Sequence, residues 1–172
     1  HEAHRLGVLH RDLKPDNIMV EKREDGSFLP VVMDFGLARE LHEQSGLTET
    51  GAVLGTPAYM PPEQVRGDIR NLDRRSDVYS LGATLYELLC GQPPFSGERS
   101  VHILYQVLTE EPRRIKALVP GLPEELDIIV MKSLAKESEH RYESARAFGE
   151  DLQRYTDGEP IVGKRQSLIQ RA

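Results

Sequence analysis

A single cysteine, Cys90, stands in 172 residues, so an internal disulfide is excluded and the thiol is expected to pack as a small apolar group in a reducing compartment. Basic residues never run longer than two, and the net charge is -6, which leaves no electrostatic footprint for nucleic acid or an anionic membrane surface. No stretch approaches the roughly 20 apolar residues of a transmembrane helix, and no leader pattern opens the chain. The expected protein is therefore soluble and cytoplasmic, with no membrane segment and no nucleic-acid partner. Its 38% hydrophobic residues can bury one sizeable core, and no composition shift divides the first 155 residues.

Apolar spacing predicts a mainly helical protein with a small hairpin. His1 to Leu6 reads as the end of a helix stopped at Gly7, and residues 18–20 and 31–33 as short strands around an Asp25-Gly26 turn. From Asp77, the positions Val78, Leu81, Leu85, Leu88 and Leu89 recur at helical spacing up to a stop at Gly91, the pattern of a buried central helix. Three further faces follow: Val101, Leu104, Tyr105 and Leu108; Leu126, Ile129, Val130 and Leu134; and Phe148, Leu152 and Tyr155. Pro112, Pro120 and Pro123 punctuate them. From Asp157 onward Gly158, Pro160 and Gly163 interrupt the pattern, so residues 156–172 read as a linker or the start of a following segment.

Two motifs carry the chemistry. His10-Arg11-Asp12-Leu13-Lys14-Pro15-Asp16-Asn17 is followed seventeen residues after Asn17 by Asp34-Phe35-Gly36. Together they resemble the catalytic and metal-binding loops of protein kinases, and the ordered pair is far more specific than either motif alone. The resemblance implies that Asp12 accepts the proton of the acceptor hydroxyl, while Asn17 and Asp34 hold Mg²⁺ against the phosphates of ATP. Those residue types suit phosphoryl transfer, because a loose, in-line displacement needs charge neutralised on phosphate oxygens and Mg²⁺ prefers oxygen ligands. Lys14 is placed by the same likeness at the transferring phosphate, where it argues for Ser or Thr acceptors rather than Tyr.

The segment after Gly36 resembles an activation loop that closes at Gly55-Thr56-Pro57-Ala58-Tyr59-Met60-Pro61-Pro62-Glu63. Thr56 is implied to lie against Asp12 and Lys14 in the acceptor platform. Residues 40–51 show no sustained apolar period, so Ser45, Thr48 and Thr50 are candidate phosphosites, with Arg11 the expected partner of an added phosphate. Pro61 departs from the family, which more often has Ala or Ser there; a Pro at the start of a short helix is sterically acceptable. By resemblance Asp77 holds backbone amides near His10 and Arg11, and Glu63 pairs with Arg141. Those residues, with Phe35 and Gly36, are expected to be structural or regulatory.

No Gly-x-Gly-x-x-Gly loop and no Val-Ala-x-Lys strand occur, so the nucleotide-binding lobe is missing from this sequence. The expectation is a kinase carboxy-terminal lobe, α+β in class and mainly α, over residues 1–155. Its nearest flavour is the eukaryotic-like Ser/Thr protein kinases of bacteria, from residues 55–64 and 75–82. A fragment inactive alone, cut from an ATP- and Mg²⁺-dependent enzyme acting on protein substrates, is one reading. A noncatalytic scaffolding module is the other. Substrate, activating signal and oligomeric state are not legible.

Overall fold

The fold is that of a computed structural model describing residues 1–35 and 57–163. Gly7 adopts φ 76 just after the first helix, α1 (Glu2–Arg5), a left-handed conformation that a residue without Cβ takes at little steric cost. A loop and a 3-10 turn (Pro15–Asn17) then lead into the hairpin β1 (Ile18–Lys22) and β2 (Phe28–Val32); β1 runs past its expected end, while β2 begins before its expected range and stops short of Met33. They pair antiparallel from Ile18 opposite Val32 to Lys22 opposite Phe28. At the tip the Asp25 carboxylate accepts the Ser27 amide at 2.8 Å, an Asx turn that fixes the chain reversal.

Beyond residue 57 the chain is helical. A 3-10 turn (Pro57–Tyr59) precedes α2 (Pro62–Val65), which has Pro61 at its N-cap and Pro62 at its first position, where the missing amide costs nothing. The central element is α3 (Arg74–Cys90): Asp73 caps it through the Arg75 amide at 2.7 Å, and Gly91 at φ 76 ends it. Tyr79, Ala83 and Tyr86 form one core with Ile115, Val130 and Leu134, while Val78 joins Ile129, Tyr142, Phe148 and Ile161 in a second. With cores on two sides, α3 is buried around most of its circumference, and of the apolar stripe expected from Val78 to Leu89, Val78, Leu81, Leu85 and Leu89 all pack against one core or both. Leu88, placed in that stripe, is 70% exposed. Ser80 and Thr84 enter the core with partners: Thr84 Oγ1 donates to Ser80 O at 2.9 Å, and Ser80 Oγ to Tyr59 O at 2.9 Å.

The remaining helices are α4 (Ser100–Thr109), α5 (Glu124–Ser133) and α6 (Ala145–Thr156). The α3–α5 crossing is close enough that a Cβ on Gly82 would fall 2.8 Å from Ser133 Cβ. The expected faces of α5 and α6 do pack, through Ile129, Val130 and Leu134 and through Phe148, Leu152 and Tyr155. On α4 the expected face is half right: Leu104 and Leu108 are half-buried. Val101 and Tyr105 are exposed and Val107 is the buried residue, because α4 rests against short α2 and the turn at 57–59, which cover a narrow line of the helix. Packing also continues past the expected boundary at residue 155: Ile161 is buried in the second core rather than lying in a linker.

Candidate active site

Arg11 and Asp34, one from each motif, have left-handed backbone at φ 65 and 55. That conformation costs an L residue about 1–2 kcal/mol and persists where neighbours over-determine it. For Arg11 the neighbour is Asp77 on α3, whose Oδ1 accepts the Arg11 amide at 2.9 Å and whose Oδ2 accepts the His10 amide at 2.9 Å. The Nε2–H of His4 reaches the same Oδ2 at 2.7 Å. Three donors thus satisfy a carboxylate that is buried in the lobe.

His10 joins the two motifs. Because a carbonyl only accepts, the His10 nitrogen 2.8 Å from Met33 O is an Nε2–H donor, which makes Nδ1 the acceptor of the Asp12 amide at 3.3 Å. The same ring lies 4.8 Å from that of Phe35, centre to centre.

Asp12 Oδ2 has Lys14 Nζ at 3.2 Å and Asn17 Nδ2 at 3.3 Å, and Asn17 Nδ2 also donates to the Asp12 carbonyl at 2.8 Å. Those bonds occupy the amide nitrogen of Asn17 and leave its carbonyl oxygen as the end for a cation. The hairpin register supplies a second oxygen donor. Ile18 pairs with Val32 and the Met33 amide donates to Asn17 O at 2.9 Å, so exposed Asp34 follows at the same end of the hairpin as Asn17. A neutral carbonyl oxygen and a carboxylate fit Mg²⁺, which retains waters and phosphate oxygens as its other ligands.

Glu63, at the start of α2, meets Arg141 in a bidentate pair with contacts of 2.7 and 2.8 Å, and Ser76 Oγ adds a third bond at 2.7 Å. Burial pushes the Glu63 carboxyl up, but the hydrogen bonds and charge of Arg141, with Ser76, outweigh it and hold the group below the usual carboxylate range. Arg141 is otherwise satisfied by the carbonyls of Ala135, Lys136 and Arg75. Gly36, Ser45, Thr48, Thr50 and Thr56 lie outside the described residues.

The pattern of a protein kinase domain matches residues 1–152. The chain belongs to the protein kinase family. Serine/threonine-protein kinase PknB of Mycobacterium tuberculosis is 46% identical over 159 residues, which are 92% of this chain and 24% of that protein. A probable serine/threonine-protein kinase PknB of Bifidobacterium longum is 45% identical over 157 residues, 91% of this chain and 22% of that protein. The chain therefore spans about a quarter of the length of the curated relatives it matches. A crystal structure of Rad53 1-466 in complex with AMP-PNP aligns with a TM-score of 0.61 at 28% identity, covering 81% of this chain and 33% of that one. The chain is thus similar to bacterial proteins named as Ser/Thr protein kinases, and it has the mainly helical kinase fold.

Three parts of this kinase site carry no signal in the sequence. His4 reaches Asp77 across 73 positions, and Ser76 reaches Glu63 from the far side of a loop. The Tyr59 hydroxyl donates to Glu87, and burial first, then the Glu87 hydrogen bond and charge, raise the phenol well above its ordinary value. None of these pairs has a fixed local spacing that a motif could record.

Proposed function

We propose that this chain forms the acceptor-orienting part of a serine/threonine protein kinase that transfers the γ-phosphoryl group of ATP to Ser or Thr hydroxyls of proteins. The observation that carries the reading is the convergence of Asp12, Lys14, Asn17 and Asp34 at one end of the hairpin. Ionised Asp12 is an acceptor only, so it orients the incoming hydroxyl and takes its proton. Lys14, beside the same carboxylate oxygen, sets positive charge where negative charge develops on the transferring group. Asn17 and Asp34 are the residues that would hold Mg²⁺, which when bound neutralises charge on the phosphate oxygens. The ATP phosphates also need the nucleotide-binding lobe, which this sequence does not contain.

Lys14 and Thr56 favour Ser and Thr acceptors by resemblance, and the names of the bacterial relatives support the same class. Thr48 and Thr50, then Ser45, are the proposed sites of activating autophosphorylation, with Arg11 as the phosphate's partner. The test uses the protein that joins this chain to its nucleotide-binding lobe. Incubation with γ-labelled Mg·ATP and phosphoamino-acid analysis should give phosphoserine and phosphothreonine. Phosphotyrosine alone contradicts the reading, and ATP binding without transfer favours a noncatalytic docking module.

A further inference from the structure

Asp151 on α6 is completely buried and takes no part in the site above. Its carboxylate is satisfied by the Tyr142 hydroxyl at 2.7 Å and by two backbone amides from beyond the end of α6, Val162 at 2.6 Å and Gly163 at 3.0 Å. The nearest cation, Arg154, stays 3.7 Å away. A buried carboxylate held by two amides of one short segment binds that segment strongly, because undocking would leave the charge short of partners in an apolar surround. Shape agrees with charge. Ile161 inserts into the core beside Val78, Ile129 and Phe148. A Cβ on Gly163 would lie 3.2 Å from the Tyr142 hydroxyl and 3.3 Å from both Asp151 Oδ2 and Ile128 Cγ2, so a larger residue would have to push its neighbours aside.

The neighbour of Tyr142 is Arg141, whose guanidinium holds Glu63 at the end of the activation segment. Tyr142 is itself packed against the Phe148 ring, 5.5 Å between centroids and tilted at 53°, and under the Lys132 ammonium, 4.2 Å from its centroid. Two consecutive residues therefore touch the downstream chain with one side chain and the activation-segment anchor with the other.

We infer that Ile161-Val162-Gly163 is a latch docked in cis on the surface formed by Tyr142, Asp151 and Ile128, and that it couples the polypeptide following the kinase lobe to the Arg141–Glu63 anchor. The surface recognises an apolar residue followed by two free amides, the second on glycine. Release of the latch uncovers Asp151, loosens Tyr142 and with it the Arg141–Glu63 pair. This coupling does not depend on catalysis.

Hydrogen–deuterium exchange on the full-length protein tests it. Two variants act on the latch alone: Gly163→Val fills the close approach, and Val162→Pro deletes one amide at the first position of a helical turn, where proline is tolerated. Gly149→Ala, on α6 with open space around it, is the control. The wild type should protect the amides of Val162 and Gly163. Either latch variant should raise exchange of the remaining latch amides and of the Glu63 and Arg141 segments by about tenfold or more, and the control should not. Unprotected Val162 and Gly163 in the wild type overturn docking. Lost latch protection with unchanged exchange at Glu63 and Arg141 overturns the coupling.

Discussion

The Asp77 carboxylate holds the Arg11 amide at 2.9 Å across 66 positions of sequence, and Arg11 sits there at φ 65. The buried start of α3 thereby stabilises a backbone conformation that the residue before Asp12 does not adopt by preference. Asp77→Ala should orphan two amides, at about 1–3 kcal/mol each, and let Arg11 relax. In the two-lobe protein the expected outcome is a large fall in kcat with little change in Mg·ATP affinity. Urea denaturation and steady-state kinetics check both parts; an unchanged kcat in a folded variant would show that the Arg11 backbone need not be held.

The Glu63–Arg141 pair should be expensive to break from one side. Glu63→Ala or Arg141→Ala alone is expected to cost about 3–5 kcal/mol, since each leaves the other charge buried without its partner. The double variant should cost less than the sum, with a coupling of about 1–3 kcal/mol in a double-mutant cycle. Additive losses would mean that the two side chains are independent.

Acid should act through the same pair. The Glu63 carboxyl titrates below its unfolded value of about 4.3, so the stability it contributes is fully present above that pH and is lost as pH falls through the lower, folded value. Chemical denaturation from pH 7 to pH 2.5 should show a steep loss below about pH 4 that is shallower in Glu63→Gln. Identical slopes would mean that Glu63 does not carry the acid sensitivity.

Regulation by charge gives a further outcome. In the two-lobe protein, phosphopeptide mapping should find Thr48 or Thr50 modified, and Thr48→Ala, Thr50→Ala together should lose most activation. Arg11→Ala should erase the remaining advantage of the phosphorylated form without removing Mg²⁺ binding. Full activation of the double Ala variant would leave these hydroxyls as solvated loop residues.

The parts of this protein legible in the sequence are those whose chemistry is encoded by local spacing. Asp12, Lys14 and Asn17 meet within six residues of chain, and the hairpin register carries Asp34 to the same end, which brings together in space two motifs that the sequence joined only through their resemblance to kinase loops. The faces of α5 and α6 were legible because each helix buries one side against α3. Elsewhere the partner decides the outcome. Tyr105 and Val101 have the spacing of a buried face, yet α4 meets a narrow surface and buries Val107 instead. His4, Ser76 and Asp151 act through hydrogen bonds to distant backbone or side chains, which leave no period in the sequence. The glycine and proline that make residues 157–163 look like a linker are compatible with docking: Gly163 fits where a Cβ would crowd Asp151.

The central claim is that Asp12 orients and deprotonates a Ser or Thr hydroxyl while other residues hold the nucleotide and its metal. Its most direct test compares wild type and Asp12→Asn in the two-lobe protein, measuring phosphoryl transfer to a Ser/Thr peptide and Mg·ATP affinity by calorimetry on the same samples. Transfer should fall by about 10²-fold or more with Mg·ATP affinity within a few-fold of wild type. Transfer unchanged in Asp12→Asn, or transfer and affinity falling by the same factor, would contradict it.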